Sequence, residues 1–328
     1  MLCTAVAGAF ESRTSAQSAD PAIIVLDPAG VSSLSMGGSA GVRLPGSGVH
    51  VNSSSPMAVH LAGSSILEAQ YLNITTTSVP DVSHFIGVLN TERPALADPL
   101  LALVEPVPGA PVQTATVIVT VETTLTLNPG FYPGGINVRG NLLMNPGVYI
   151  LDGDFSANSQ ARINGEGVVV FLRGAANLDF SSDNMTFQLS PPSAGPYQGI
   201  GIFQQRGNTA TSSLAVSASS RPQGTIYMPS SQLNITASGT IASVARFVVN
   251  RLNVTGSGSF TVIVCGTPDF NGDGDFGTDA DIEAFFACLG GNCCATCFAG
   301  GPDFNGDGDF GTDADIESFF RVLAGGAC

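Results

Sequence analysis

GVYILDG at residues 147–153, GVVVFLRG at 167–174, GIGIFQQRG at 199–207 and GTIYMPS at 224–230 share one plan: a glycine followed by a short apolar run. A further apolar run, RFVVNRLNV, occupies 246–254. Upstream, Asn128-Pro129-Gly130-Phe131-Tyr132 recurs as Asn145-Pro146-Gly147-Val148-Tyr149. Spacings near 20 residues, stretched in places by insertions, suit one turn of a parallel β-helix. A single coil cannot bury its own apolar side, so such coils are stable only when stacked. Side chains alternate along a strand, and this pattern assigns Val148, Ile150, Val168, Val170, Ile200, Ile202 and Ile226 to the interior. Asn and Gly at the corners supply the left-handed backbone angles of tight turns. A β-sandwich also uses many short strands. The periodicity favours a mainly β chain built as a right-handed parallel β-helix, a solenoid, over residues 117–265.

Outward from that body, residues 30–76 (GVRL, GVHV, MAVHLAG, ILEAQYLNI) alternate apolar and small polar residues and predict further short strand coils. Residues 1–29 read as a lead-in. Residues 77–116, with prolines at 80, 94, 99, 106, 108 and 111, read as a linker or crossover. The 40 glycines and 11 % charged residues suit tight turns rather than long solvated helices. No lysine is present, and no basic patch forms, which argues against nucleic acid as a partner. No run of 18 apolar residues could span a membrane. Met1 to Phe10 is apolar but lacks the basic start of a signal peptide, so export would need a leader outside this chain.

Residues 266–328 differ from the rest. They hold twelve of the 26 acidic side chains and one base, Arg321. PDFNGDGDFGTDADIE runs from Pro268 to Glu283 and again, letter for letter, from Pro302 to Glu317. Carboxylates packed this densely repel one another unless a cation lies among them. Counting from Asp269, oxygen-bearing residues fall at positions 1, 3, 5 and 7: Asp269, Asn271, Asp273 and Asp275, with Gly274 at position 6 for the turn. This is the order of ligands in a calcium loop. The second copy offers Asp303, Asn305, Asp307, Gly308 and Asp309. Position 12 is Ala280 or Ala314, which cannot coordinate. Asp281 and Asp315, one residue later, are the expected closing carboxylates, with Asp279 and Asp313 the alternatives. Each precedes an apolar helical face: Ile282, Phe285, Phe286 and Leu289, then Ile316, Phe319, Phe320 and Leu323. The phenylalanines read as the shared core of two helices. Two Ca²⁺ ions are therefore expected.

Six of the seven cysteines (Cys265, Cys288, Cys293, Cys294, Cys297 and Cys328) bracket these repeats, and Cys3 stands apart. An even cluster in a small acidic module points to disulfides and an oxidising compartment. The sequence does not choose the pairing, and the Cys294-x-x-Cys297 spacing leaves zinc as a rival. In the body, Asp152 and Asp154 point to one face if strand-like, with Arg162 or Arg173 within a coil's reach. That set is the only candidate for sugar-cleaving chemistry, and a turn pair is the simpler reading.

The stretch from LTLNPGFY through GTIYMPSSQLNITASG, with the upstream GSGVHVNSSSPMAVHLAG, resembles the C-terminal β-helical region of TadG-like proteins, accessories of the bacterial tight-adherence pilus. The likeness covers roughly residues 30–264. The doubled DxNxDG loops resemble a dockerin over residues 266–328, and the pattern looks closer to the cysteine-containing, dockerin-like C-terminal modules of planctomycete surface proteins than to cellulosomal dockerins. These resemblances imply a small all-α calcium domain behind the β-helix. They also imply an extracellular or cell-surface location and a cohesin-like or cell-envelope anchoring partner, with pilus components or surface polysaccharide as further partners. In dockerins, loop positions 10 and 11, here Thr278-Asp279 and Thr312-Asp313, contribute to partner recognition. The expected function is a non-catalytic adhesion or scaffold protein. The alternative is a polysaccharide lyase or glycoside hydrolase tethered by the same tail.

Overall fold

The computed structural model describes residues 21–44, 47–78, 83–158, 160–182, 184–192, 194–220, 222–263, 266, 268–273, 275, 277–294, 297–298, 301–305 and 310–324. Short strands wind into a parallel β-helix of about ten turns. A full coil has three walls. In one coil these are Gly147–Leu151, Phe155–Ala157 and Arg162–Gly165, and in the next Val168–Leu172, Leu178–Phe180 and Thr186–Leu189. Each strand pairs in parallel with its counterpart one coil on, so Tyr149 opposes Val170, Phe155 opposes Leu178 and Ile163 opposes Phe187. Every pairing between the named strands is parallel, as in a solenoid and unlike a sandwich.

The coils do not stack in chain order. Along the first wall one interior ladder runs Tyr149, Val170, Ile202, Ile226, Phe247, and then passes to Ile23, Val49 and Leu72. The N-terminal strands therefore continue the stack beyond its C-terminal coil. The lead-in expected over 1–29 already contains a stacked strand, Ile23–Val25, and the last strand, Phe85–Asn90, falls inside the expected crossover. Asp27 fastens the junction. Its Oδ2 accepts from Arg251 Nε at 2.5 Å, and its Oδ1 accepts from the N–H groups of Ala29 and Gly30. Burial acts to raise the Asp27 carboxyl, but these donors outweigh it and hold the group below its ordinary value. A Cβ at Gly30 would lie 2.1 Å from Asp27 Oδ2, so only glycine allows this approach.

Because the last strand of the stack ends at one end and the first coil begins at the other, the chain must travel back. Residues 91–112 do so as a strap along the outside of the first wall. Fully extended, that strap could reach about 70 Å. Ten coil spacings need only about 48 Å, so there is slack for the turn at 99–103. The Asn52 side chain holds Leu96 by two hydrogen bonds of 2.8 Å. Tyr227 Oη donates to Asp98, and Arg206 Nη2 donates to the carbonyls of Leu100 and Leu103 at 2.7 Å. Val112 N–H donates to the Phe131 carbonyl in the coil that follows.

Beneath the strap lies a second apolar row on the outer face of the first wall: Phe131, Ile150, Phe171, Phe203, Tyr227, Val248 and Ile24, one per coil. Leu100 and Leu103 of the strap pack against it. Each such side chain contributes about 1.5–3 kcal/mol when withdrawn from water. This row corrects the interior assignment. Val148 and Ile150 face the strap, and Tyr149 and Leu151 fill the coil; Ile200 also belongs to the outer cluster. Val168, Val170, Ile202 and Ile226 are interior as expected. The error has a physical cause: a wall buried on both faces carries an unbroken apolar run, and such a run does not say which residues point inward.

Candidate metal centre

Two helices follow the acidic loops, α1 at Asp279–Leu289 and α2 at Asp313–Leu323. Their first turns place aspartates at the positive end of the helix dipole. Phe270, Phe285, Phe304, Phe319 and Cys288 form one buried cluster, with the rings of Phe285 and Phe319 stacked 4.1 Å apart. The 34-residue repeat maps Phe270 onto Phe304 and Phe285 onto Phe319, so the core is made of equivalent pairs. Phe286 and Phe320 do not join it. They lie 46 % and 44 % exposed with ring centroids 6.2 Å apart, which corrects the expectation that all four helix phenylalanines are core. On a helix this short, the residue beside a buried phenylalanine is turned about 100° away.

The first loop is ordered by its own oxygens. Asp269 Oδ1 and Asn271 Oδ1 accept from the N–H of Asp273 at 3.1 and 2.9 Å, and Asp273 Oδ1 accepts from Asp275 N–H at 2.9 Å. Asn271 Nδ2 donates to Asp273 Oδ2. Asp281 reaches back from the first turn of α1. It is wholly buried, and its Oδ1 accepts from Asn271 N–H at 3.2 Å. Its Oδ2 accepts from the N–H and hydroxyl of Thr278 at 2.8 and 2.9 Å. Burial acts to raise this carboxyl, but the donors from Thr278, Asn271 and Phe270 outweigh it and hold Asp281 below its ordinary value. The second loop repeats the contacts of the closing carboxylate. Asp315, also wholly buried, accepts from Asn305 N–H at 3.2 Å and from Thr312 N–H and hydroxyl at 2.8 and 2.9 Å. Asp279 and Asp313 are exposed. Asp303 is buried, whereas Asp307, Asp309 and the turn glycines Gly274 and Gly308 lie outside the described residues.

The donor set is entirely hard oxygen, which suits Ca²⁺ in kind and not a thiolate- or imidazole-seeking metal. Of the two possible closing residues, only Asp281 and Asp315 aim at their loops. Among the described residues, however, no three carboxylates, imidazoles or thiols gather around one point. Asn271 and Asp273 hold each other instead of turning together toward Asp281. The two threonines that clamp the closing carboxylates were read from the sequence only as recognition positions. The signal for them was present: Thr-x-x-Asp before an apolar run is a helix-start pattern.

Cys288 pairs with Cys293, and Cys294 with Cys297, as disulfides, so the CxxC is a cystine and not half of a zinc site. Cys3, Cys265 and Cys328 lie outside the described residues. In the body, Asp152 accepts a two-pronged ion pair from Arg173 at 2.7 and 2.8 Å, and the Arg173 guanidinium lies over the Phe131 ring. Asp154 accepts from Asn177 N–H. Arg162 stands on the third wall, beside Asn141 and Thr186. The structure thus ties Asp152 and Asp154 into separate contacts and does not bring the four residues together. No helix among the described residues is long and apolar enough to cross a membrane. No protein-family model, curated protein or solved structure matches the chain.

Proposed function

We propose that this is an exported, non-catalytic surface or scaffold protein. Its β-helical body is a stiff rod, and its acidic tail is a calcium-dependent joint to an anchoring partner. One observation carries this reading: two identical loops each deliver a wholly buried carboxylate, Asp281 or Asp315, to the backbone at loop position 3 with matching contacts. Each buried aspartate caps its helix through the threonine and also reaches the loop backbone, which ties the helix start to the loop. When bound, Ca²⁺ would neutralise the loop; Asp269, Asn271, Asp273, the Asp275 carbonyl and Asp281 would hold one ion. Asp303, Asn305, Asp307, Asp309 and Asp315 would hold the other. The partner is a cohesin-like or envelope protein at the cell surface, where calcium reaches the roughly 10⁻⁴–10⁻³ M at which extracellular loops of this kind bind.

Calorimetric titration of the chelator-treated full chain with CaCl₂ tests this. The expected result is two ions per chain, and none for the Asp281→Asn, Asp315→Asn double variant. Absence of calcium binding by the native chain would remove the joint from the account.

A further inference from the structure

The outer face of the third wall carries a groove of about 460 Å³. Its position is unusual: it straddles the junction where the N-terminal strands dock on the C-terminal coil. One flank comes from Thr240 and Ser259, the other from Gly41 and Ile66, and these four stand in register in successive coils. Pockets favour the seams between separately formed units. The next outward row holds Arg43 and Glu68, whose Nε–Oε2 ion pair is 2.7 Å long with side chains 58 % and 40 % exposed. Gly41 removes one side chain from the middle of the row and opens the groove. Its backbone angle is ordinary, so the gap is not a requirement of the turn.

We propose that this groove binds a neutral oligosaccharide. The lining is rich in serine and threonine hydroxyls, which both donate and accept, as sugar hydroxyls do. The Arg43–Glu68 pair contributes further donors and acceptors with no net charge, which disfavours an ionic ligand. Ile66 and Ile86 offer an apolar strip at one end for the C–H face of a ring. The groove crosses five coils, about 19 Å at ~4.8 Å per spacing, the length of a short chain rather than a single sugar. The inference deepens the surface-protein reading by naming a ligand class, and it is independent of the calcium joint.

The test is calorimetry and saturation-transfer NMR on the full chain with β-1,4-linked pentamers of glucose, xylose and N-acetylglucosamine, and with a galacturonate pentamer. The expected result is saturable binding of at least one neutral pentamer, unchanged by EDTA and weakened tenfold or more in Gly41→Val. A Cβ at Gly41 would lie 3.1 Å from the rotatable Ser259 hydroxyl and 3.4 and 3.5 Å, ordinary contact, from the Ser259 Cβ and Cα, so the variant should fold. If it does not, the Arg43→Ala, Glu68→Ala double variant, which removes the donors and acceptors of an exposed pair, decides by the same tenfold criterion. Binding of none of the neutral pentamers, binding of the acidic one alone, or binding untouched by these variants overturns the proposal.

Discussion

The body and the tail hold themselves together by opposite means. In the body, each coil is buried by the coils on either side, and the first wall is buried again by the strap. Its charges are few, and several are paired, as Asp152 is with Arg173 and Asp27 with Arg251. Among its described residues the tail has a buried core of four phenylalanines and one cysteine and two short disulfide loops, and its sequence sets twelve acids against one base. The body therefore carries redundant stabilisation, whereas the tail, on the proposed reading, draws on a bound cation. A small module with so little core generally requires disulfides or a metal.

The largest expected effect that would break this contrast is at Phe285. Phe285→Ala removes the ring stacked on Phe319 and should cost about 3–5 kcal/mol. Near-ultraviolet circular dichroism should show the tail melting early while the body's transition stays in place; a shift of both would show that the two regions are one cooperative unit. Next is the strap clamp. Arg206→Ala removes the donors to Leu100 and Leu103, and bonds of this charged type are worth about 1.5–3 kcal/mol each. Limited proteolysis should then cut within 98–104, with the coils still resistant.

The junction gives a smaller effect. Asp27→Asn keeps the turn contacts but loses the ion pair with a partly exposed Arg251, at about 1 kcal/mol. Because the folded Asp27 carboxyl lies below its ordinary 3.8, its stabilisation is present above that value and is lost as the pH falls through the lower folded value. The variant's stability curve should lack that acid limb in chemical denaturation between pH 5 and roughly pH 2. His50 should act most weakly. Burial under the strap lowers its pKa against the pull of the Pro94 carbonyl, so stability should decline slightly as pH falls below 6.5. His50→Gln should flatten that slope.

Much of the body was legible in the sequence, since glycine-opened apolar runs mark coils wherever they occur. Two features were not. The inward sense of Val148 and Tyr149 was hidden because the strap, distant in sequence, buries the second face. The stacking of Ile23 on Phe247 was hidden because nothing local records which coil a strand will meet. In the acidic repeat the helix register pointed to Asp281 rather than Asp279 as the residue facing the loop, and Asp281 is the one that reaches back to Asn271. The outward turn of Phe286 was not legible, because an apolar i, i+3, i+4, i+7 pattern is wider than the face that a partner helix of equal length can cover. The cysteine pairs Cys288–Cys293 and Cys294–Cys297 were also closed to sequence reasoning, which counts cysteines without locating them.

Hydrogen exchange by the intact chain, compared in millimolar calcium and in EDTA, tests the tail's dependence most directly. Protection should rise with calcium across 269–289 and 303–323 and stay constant through the coils from 117 to 263. Equal exchange of the two acidic segments in both conditions would contradict the account.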